Sequence, residues 1–245
     1  MQQNTEKEIK ITLIIVEGRS DLLFLKFLFK NFLNINLEEK LFNKEEYLYH
    51  EDQKIFVMQI KGFQKKEKVR DDILLNIQDI LTIFPKKNLT FDLNLIIDTD
   101  DNLTTKQDKV DDIFQELKKS QLNIDKTEYF LLPGAKKNGQ LEDLIYESLS
   151  TLLTPDFKCF DNFIECMNQP SIKPLHNKND NFFSKLKLEC YFAFFANKDN
   201  DTSCDIAKKL KFIEEKFTSN NKEKVGQIYS ELILAISTFI TNDKH

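Results

Sequence analysis

Lys10-Ile-Thr-Leu-Ile-Ile-Val16-Glu17-Gly18-Arg19-Ser20-Asp21 is the stretch from which the rest of the chain can be read. From Ile11 to Val16 five of six residues are apolar, several of them β-branched. A run this short reads as a strand buried on both faces, too brief to cross a membrane. Glu17 and Gly18 follow at once, and Ser20 is the expected N-cap of a helix running to Leu33. A carboxylate in that position stands at the carboxyl edge of a strand, where open α/β sheets bind ligands. Taken alone, Glu17 reads equally well as a solvated acid favouring a helix N-terminus.

The segments that follow repeat the alternation. Ile55 to Ile60 reads as a second strand, and Gln64 to Phe84 as a helix stopped by Pro85. Leu93 to Ile97 reads as a third strand, Lys106 to Lys119 as a helix and Glu128 to Leu132 as a fourth strand. Leu141 to Tyr146 opens another helix. Between the first helix and the second strand, Asn34 to Lys54 reads as a polar, acidic connector with at most a short helix. Strand and helix alternating at these lengths imply an α/β fold with a mainly parallel, Rossmann-like sheet flanked by helices. Beyond Ser150 the strand signal fades. Phe157–Met167, Phe182–Phe195, Asp205–Phe217 and Val225–Ile240 all read as helices. The chain therefore divides into an α/β domain over residues 1–150 and an all-helical C-terminal cap over 151–245. The helix after Glu17 is apolar on too many sides to face water, so the cap or a second copy of the chain is expected to cover it.

Composition narrows the classes of function. A chain of 245 residues with 31% charged residues and a net charge of −5 is no basic nucleic-acid coat, although it leaves room for a local basic groove. The four cysteines have no C-x-x-C spacing and the three histidines form no pair, which argues against zinc. No apolar run reaches membrane length, and the first eight residues lack the apolar core of a secretion signal. A cytoplasmic protein with free thiols is expected.

The chemistry is carried by acids. The third strand runs directly into Asp98-Thr-Asp100, whose two carboxylates point the same way in extended chain. If the first and third strands are neighbours, Glu17, Asp21, Asp98 and Asp100 converge. Two unit charges about 4 Å apart repel by roughly 4 kcal/mol at an effective dielectric near 20. A cation is the natural remedy, and oxygen-only ligands favour Mg2+ or Mn2+. Such an ion at a strand edge commonly serves phosphate chemistry. Arg19 is placed to grip a phosphate beside Glu17, and Lys136 and Lys137 to form part of a backbone-binding rim. Glu142 and Asp143 open a helix about 100° apart, so at most one of them faces the metal.

Val16-Glu17-Gly18-x-x-Asp21 after a first strand, followed by Ile97-Asp98-x-Asp100 after a third, resembles the TOPRIM domain. That domain is shared by primases, topoisomerases, recombination mediators and the overcoming-lysogenisation-defect (OLD) nucleases. The Lys61-Gly62-Phe63 turn, Leu132-Pro133 through Gly139-Gln-Leu-Glu142-Asp143, and Ser184-Lys185-Leu-Lys-Leu-Glu add likeness to a small stand-alone bacterial subgroup of OLD type. The resemblance implies that Glu17 is a general acid or base and that Asp98 and Asp100 bind Mg2+. It favours Glu142 over Asp143 as a further ligand, and Lys185 as a catalytic or phosphate-holding lysine. By the same resemblance the expected activity is metal-dependent hydrolysis of DNA or RNA, as a phage-defence effector working with a separate ATPase. Two other readings stand beside it. One is a metal-stabilised nucleic-acid or partner-binding module without turnover. The other is a nucleotide-sugar transferase using the D-x-D pair, which would give Glu17 no role.

Overall fold

A computed structural model describes residues 8–43, 45–63, 65–85, 88–99, 103–134, 139–152, 158–167, 169 and 206–241. The expected helix over Phe182–Phe195, together with Asp100, Lys136, Lys137 and Lys185, lies outside the described residues. The fold is α/β. Six strands form one sheet in the order β2-β3-β4-β1-β5-β6. They are β1 (Ile9–Val16), β2 (Glu38–Phe42), β3 (Glu45–His50), β4 (Ile55–Gln59), β5 (Leu89–Asp98) and β6 (Ile124–Leu132). β4, β1, β5 and β6 run parallel, while β3 lies antiparallel to β4 and β2 antiparallel to β3.

The apolar run of β1 divides by parity, as a strand buried on two faces must. Ile14 and Val16 enter one core, and Ile11, Leu13 and Ile15 the other. The second core is closed by α2 (Lys66–Ile83), through Val69, Ile73, Ile77 and Ile80. α3 (Leu103–Lys118) completes it through Val110, Ile113, Phe114 and Leu117. The first core holds α1 (Arg19–Leu28), the π-helical turn Phe29–Leu33, α4 (Leu141–Leu152) and helices from the C-terminal part.

Among the described residues the C-terminal helices are α5 (Lys158–Met167), α6 (Ile206–Glu215), α7 (Ser219–Ile228) and α8 (Ser230–Thr241). As the composition of α1 requires, its outer side is covered. Leu22, Phe24, Leu25, Phe27 and Leu28 share a cluster with Leu210, Ile213, Val225, Tyr229, Leu232, Ile236 and Phe239. Phe24 meets Tyr229 edge-on at 5.2 Å, and Phe217 lies 5.9 Å from Phe27 and 6.0 Å from Phe32. Edge-to-face contacts of this kind add to the simple burial of the rings.

Three expectations need correction. The connector from Asn34 to Lys54 contains the β2–β3 hairpin. Its outer strand is almost wholly exposed, and its inner strand is held by Tyr47 and Tyr49 packing on Phe56 at 5.8 and 4.5 Å. An edge strand needs few apolar residues, so its acids masked it. The first helix begins at Arg19 with Gly18 as N-cap. Ser20 lies inside it, because the Asp21 carboxylate reaches back to the Gly18 N–H at 2.9 Å. The final helix is two helices parted at Tyr229, which leaves the helical region with φ −88 and ψ 3.

Tyr229 is fully buried, and its hydroxyl lies 2.6 Å from Ser148 Oγ, which donates to the Leu144 carbonyl at 2.8 Å. It therefore ties α4 to the C-terminal helices. Tyr229→Ala is expected to destabilise the fold by about 3–5 kcal/mol, as for large aromatic truncations. Tyr229→Phe should cost about 0.5–1.5 kcal/mol, the worth of one hydrogen bond. Urea denaturation of both variants checks the ratio, and equal losses would show that packing plays no part.

Candidate functional site

The site grows out of sheet register. β1 pairs with β5 from Ile9↔Leu89 to Val16↔Ile96, so the first residue beyond β1 meets the end of β5. There the Asp98 N–H donates to Glu17 Oε1 at 3.1 Å. Asp98 in turn accepts from the Leu141 N–H at 2.9 Å, at the opening of α4. A carboxylate at a helix N-terminus is favoured by the unsatisfied amides and the helix dipole.

The end of β6 and the residues that open α4 are tied together by Thr99, which is fully buried. Its backbone N–H donates to the Leu132 carbonyl at 3.0 Å, and its hydroxyl accepts from the Gly139 N–H at 2.8 Å. The same hydroxyl lies 2.9 Å from the Leu132 carbonyl and 3.2 Å from that of Gly139. Gly139 has φ +150, and a Cβ there would come within 2.6 Å of Asp143 Oδ2 and 3.1 Å of Pro133. Asp143 is committed to capping, since it accepts the Gln140 N–H at 2.8 Å. Glu142 faces the other acids, and its charge acts on both Asp21 and Asp98.

Four of the expected acids are thus brought together: Glu17, Asp21, Asp98 and Glu142. Burial, followed by the charges of Glu17 and Glu142, pushes Asp21 up to about 7 against the opposing Gly18 N–H. Burial, followed by Asp21, Glu17 and Glu142, pushes Asp98 up to about 9, with the Leu141 N–H opposing. Among the described residues, no three His, Cys, Asp or Glu side chains are close enough to form a ready metal cage. The chemistry of the donors, not their present spacing, is that of ligands to a hard divalent ion. The set offers oxygen alone, and its acids repel one another strongly enough to resist ionising together.

Arg19 is engaged elsewhere: its guanidinium grips Glu46 of β3 at 3.1 and 3.3 Å, and its side chain is two-thirds exposed. Two basic residues that sequence reasoning missed lie at the site instead. Lys106 Nζ is 3.4 Å from Glu17 Oε1, with only 15% of its side chain exposed. Lys109 Nζ donates to the Phe63 carbonyl at 2.9 Å. Both ammonium groups also approach the Phe63 ring, at 5.0 and 4.5 Å from its centroid. Burial, and then the charge of Lys106, lowers the pKa of Lys109. The sequence offers only two lysines three apart on one face of the helix that follows Asp98-x-Asp100, a spacing that Lys65 and Lys68 share.

The electrostatics of Asp98 predict a pH dependence. Its folded pKa of about 9 lies far above its ordinary 3.8. Between those values the folded chain holds a proton that the unfolded chain has lost, so its contribution to stability falls as pH rises. With EDTA present, urea denaturation should show the wild type weakening relative to Asp98→Asn from about pH 4 towards 9. Parallel curves would remove Asp98 as a source of strain.

A family model described as "Protein of unknown function (DUF3226)" matches residues 11–230, from within β1 to the first residue of α8. No curated protein matches the chain, and no solved structure does. With most of its length matched, this chain belongs to the DUF3226 family.

Proposed function

We propose that this protein cleaves phosphodiester bonds of nucleic acid with the help of a divalent ion, in a site of TOPRIM type. The observation that carries the reading is the register of β1 on β5. It sets Glu17 against the backbone of Asp98, with Asp21 and Glu142 close enough to perturb it. A D-x-D transferase site gives no reason for a glutamate from a neighbouring strand to be bound to the first aspartate.

Glu17, Asp98 and Glu142 are the described residues that would hold Mg2+ or Mn2+, with Asp100 joining them on its resemblance to the TOPRIM pair. When bound, the ion supplies charge to polarise a phosphoryl oxygen and to activate water. Asp21 serves chiefly to close the first turn of α1, and its negative charge adds to the cation's attraction. Glu17 touches Lys106 and is oriented by the Asp98 amide, so it can hold or pass a proton from a set position. The carboxylates repel a phosphate, so substrate binding needs cations from the protein as well as from the ion.

Two measurements test the reading. Mg2+ or Mn2+ should raise the melting temperature of the wild type by linkage. Asp98→Asn should blunt that response, and an unchanged response would sink the metal assignment. On a panel of DNA and RNA substrates, Glu17→Gln should bind at least as well as the wild type. It should cleave about two to four orders of magnitude more slowly. Cleavage at the wild-type rate would return the D-x-D transferase to first place, and binding without any metal-dependent cleavage would favour a non-enzymatic module.

A further inference from the structure

We infer that Lys106 and Lys109 form a two-cation clamp for a phosphate of the substrate, with Lys106 resting on Glu17 until a divalent ion takes that carboxylate. The inference rests on the proposed nucleic-acid reading and names the groups that grip the backbone. Residues three apart on α3 share a helix face, and here that face turns to Glu17 and Phe63. Most lysines hold their ammonium groups in water. This pair instead converges on one aromatic ring, which attracts cations, and Lys106 also lies 3.4 Å from Glu17 Oε1.

Two ammonium groups beside one ring repel each other, and an anion between them relieves the strain. A phosphodiester offers two non-bridging oxygens for this purpose. Lysine suits the task because its charge is compact, its donors rotate and its stem is long enough to change partner. An ion drawn to Glu17 would compete with Lys106 for the charge of that carboxylate, whose Oε1 accepts from both Lys106 and the Asp98 amide. Once displaced, Lys106 still has the Phe63 ring beside it at 5.0 Å. Lys106 would then pass from the Glu17 carboxylate to a phosphate when the carboxylate is taken by an ion, and the two binding events would favour each other.

The test uses the full chain, a short fluorescein-labelled single-stranded oligonucleotide and Ca2+ in place of Mg2+ to suppress cleavage. Anisotropy is followed across a salt series. Lys106→Met and Lys109→Met should each weaken binding several-fold and reduce the salt slope by about 0.7, the double variant by about 1.4. Lysine-to-arginine variants should keep the slope, as should Lys118→Met at the far end of α3. Without oligonucleotide, Lys106→Met should need less Ca2+ than the wild type for half of the melting-temperature shift. Melting in EDTA confirms the fold, and lysine-to-glutamine variants replace any methionine variant that melts too low. A folded double variant with the wild-type slope overturns the clamp alone, leaving the carboxylate site intact. Equal Ca2+ requirements overturn the exchange at Glu17. A wild type that binds no oligonucleotide overturns the clamp together with the nucleic-acid reading.

Discussion

The parallel pairing of β1 with β5 is the constraint on which the rest depends. Side chains alternate along a strand, so a slip of one residue would exchange the two cores and turn Glu17 away from Asp98. The register is held because each parity class has its own partners. Ile14 and Val16 need α1 and α4, while Ile11, Leu13 and Ile15 need α2 and α3. Burial on both faces therefore does more than stabilise the sheet. It fixes, to the residue, which carboxylates meet at its edge.

Helix α1 transmits a second requirement. It leaves the site at Gly18 and at once buries Leu22, Phe24 and Leu25. These residues pack on the C-terminal helices as well as on the sheet, with Tyr229 among their neighbours. Asp21 can stay in a buried, like-charged setting only because the following turn is anchored on two sides. The family match runs through the sheet, α6 and α7 and stops at the start of α8, so two of the helices that pack on α1 belong to the same matched span as the acids.

Much of this was legible in the sequence because apolar periodicity and strand-end acids are local signals. The four parallel strands, the helices between them and the excess apolar surface of α1 all announced themselves in this way. β5 proved longer than its apolar run Leu93–Ile97, because the polar Thr90 and Asp92 are buried at its start. Lys10 of β1 pairs with Asp92 at 3.2 Å, and Asn123, just before β6, donates to the Thr90 hydroxyl at 2.8 Å. Polar residues that find partners across strands look like loop residues when only neighbours in sequence are considered. The β2–β3 hairpin was hidden for a related reason, since its outer strand faces water. Ser20 was a reasonable cap by type, yet the geometry chose Gly18, with Asp21 reaching back. Lys106 and Lys109 could not be separated from the other lysines of a Lys-rich chain until Phe63 and Glu17 were seen beside them.

The acids differ in what holds them, and the difference explains how a strained cluster can also be an ordered one. Asp21 is oriented by the Gly18 amide, Glu17 by the Asp98 amide and Asp98 by the Leu141 amide. Each bond comes from main chain fixed by a strand end or a helix start, so the carboxylates cannot relax apart by simple rotation without leaving an amide unpaired. Backbone anchoring thus keeps the charges together despite burial and repulsion, which raise Asp21 and Asp98 towards neutrality. Lys106 and Lys109, by contrast, are held by contacts that a flexible stem can exchange: a carboxylate oxygen, a carbonyl and a ring. Anions held by main chain thus face cations held by exchangeable contacts, the arrangement that the proposed metal and phosphate binding would call for.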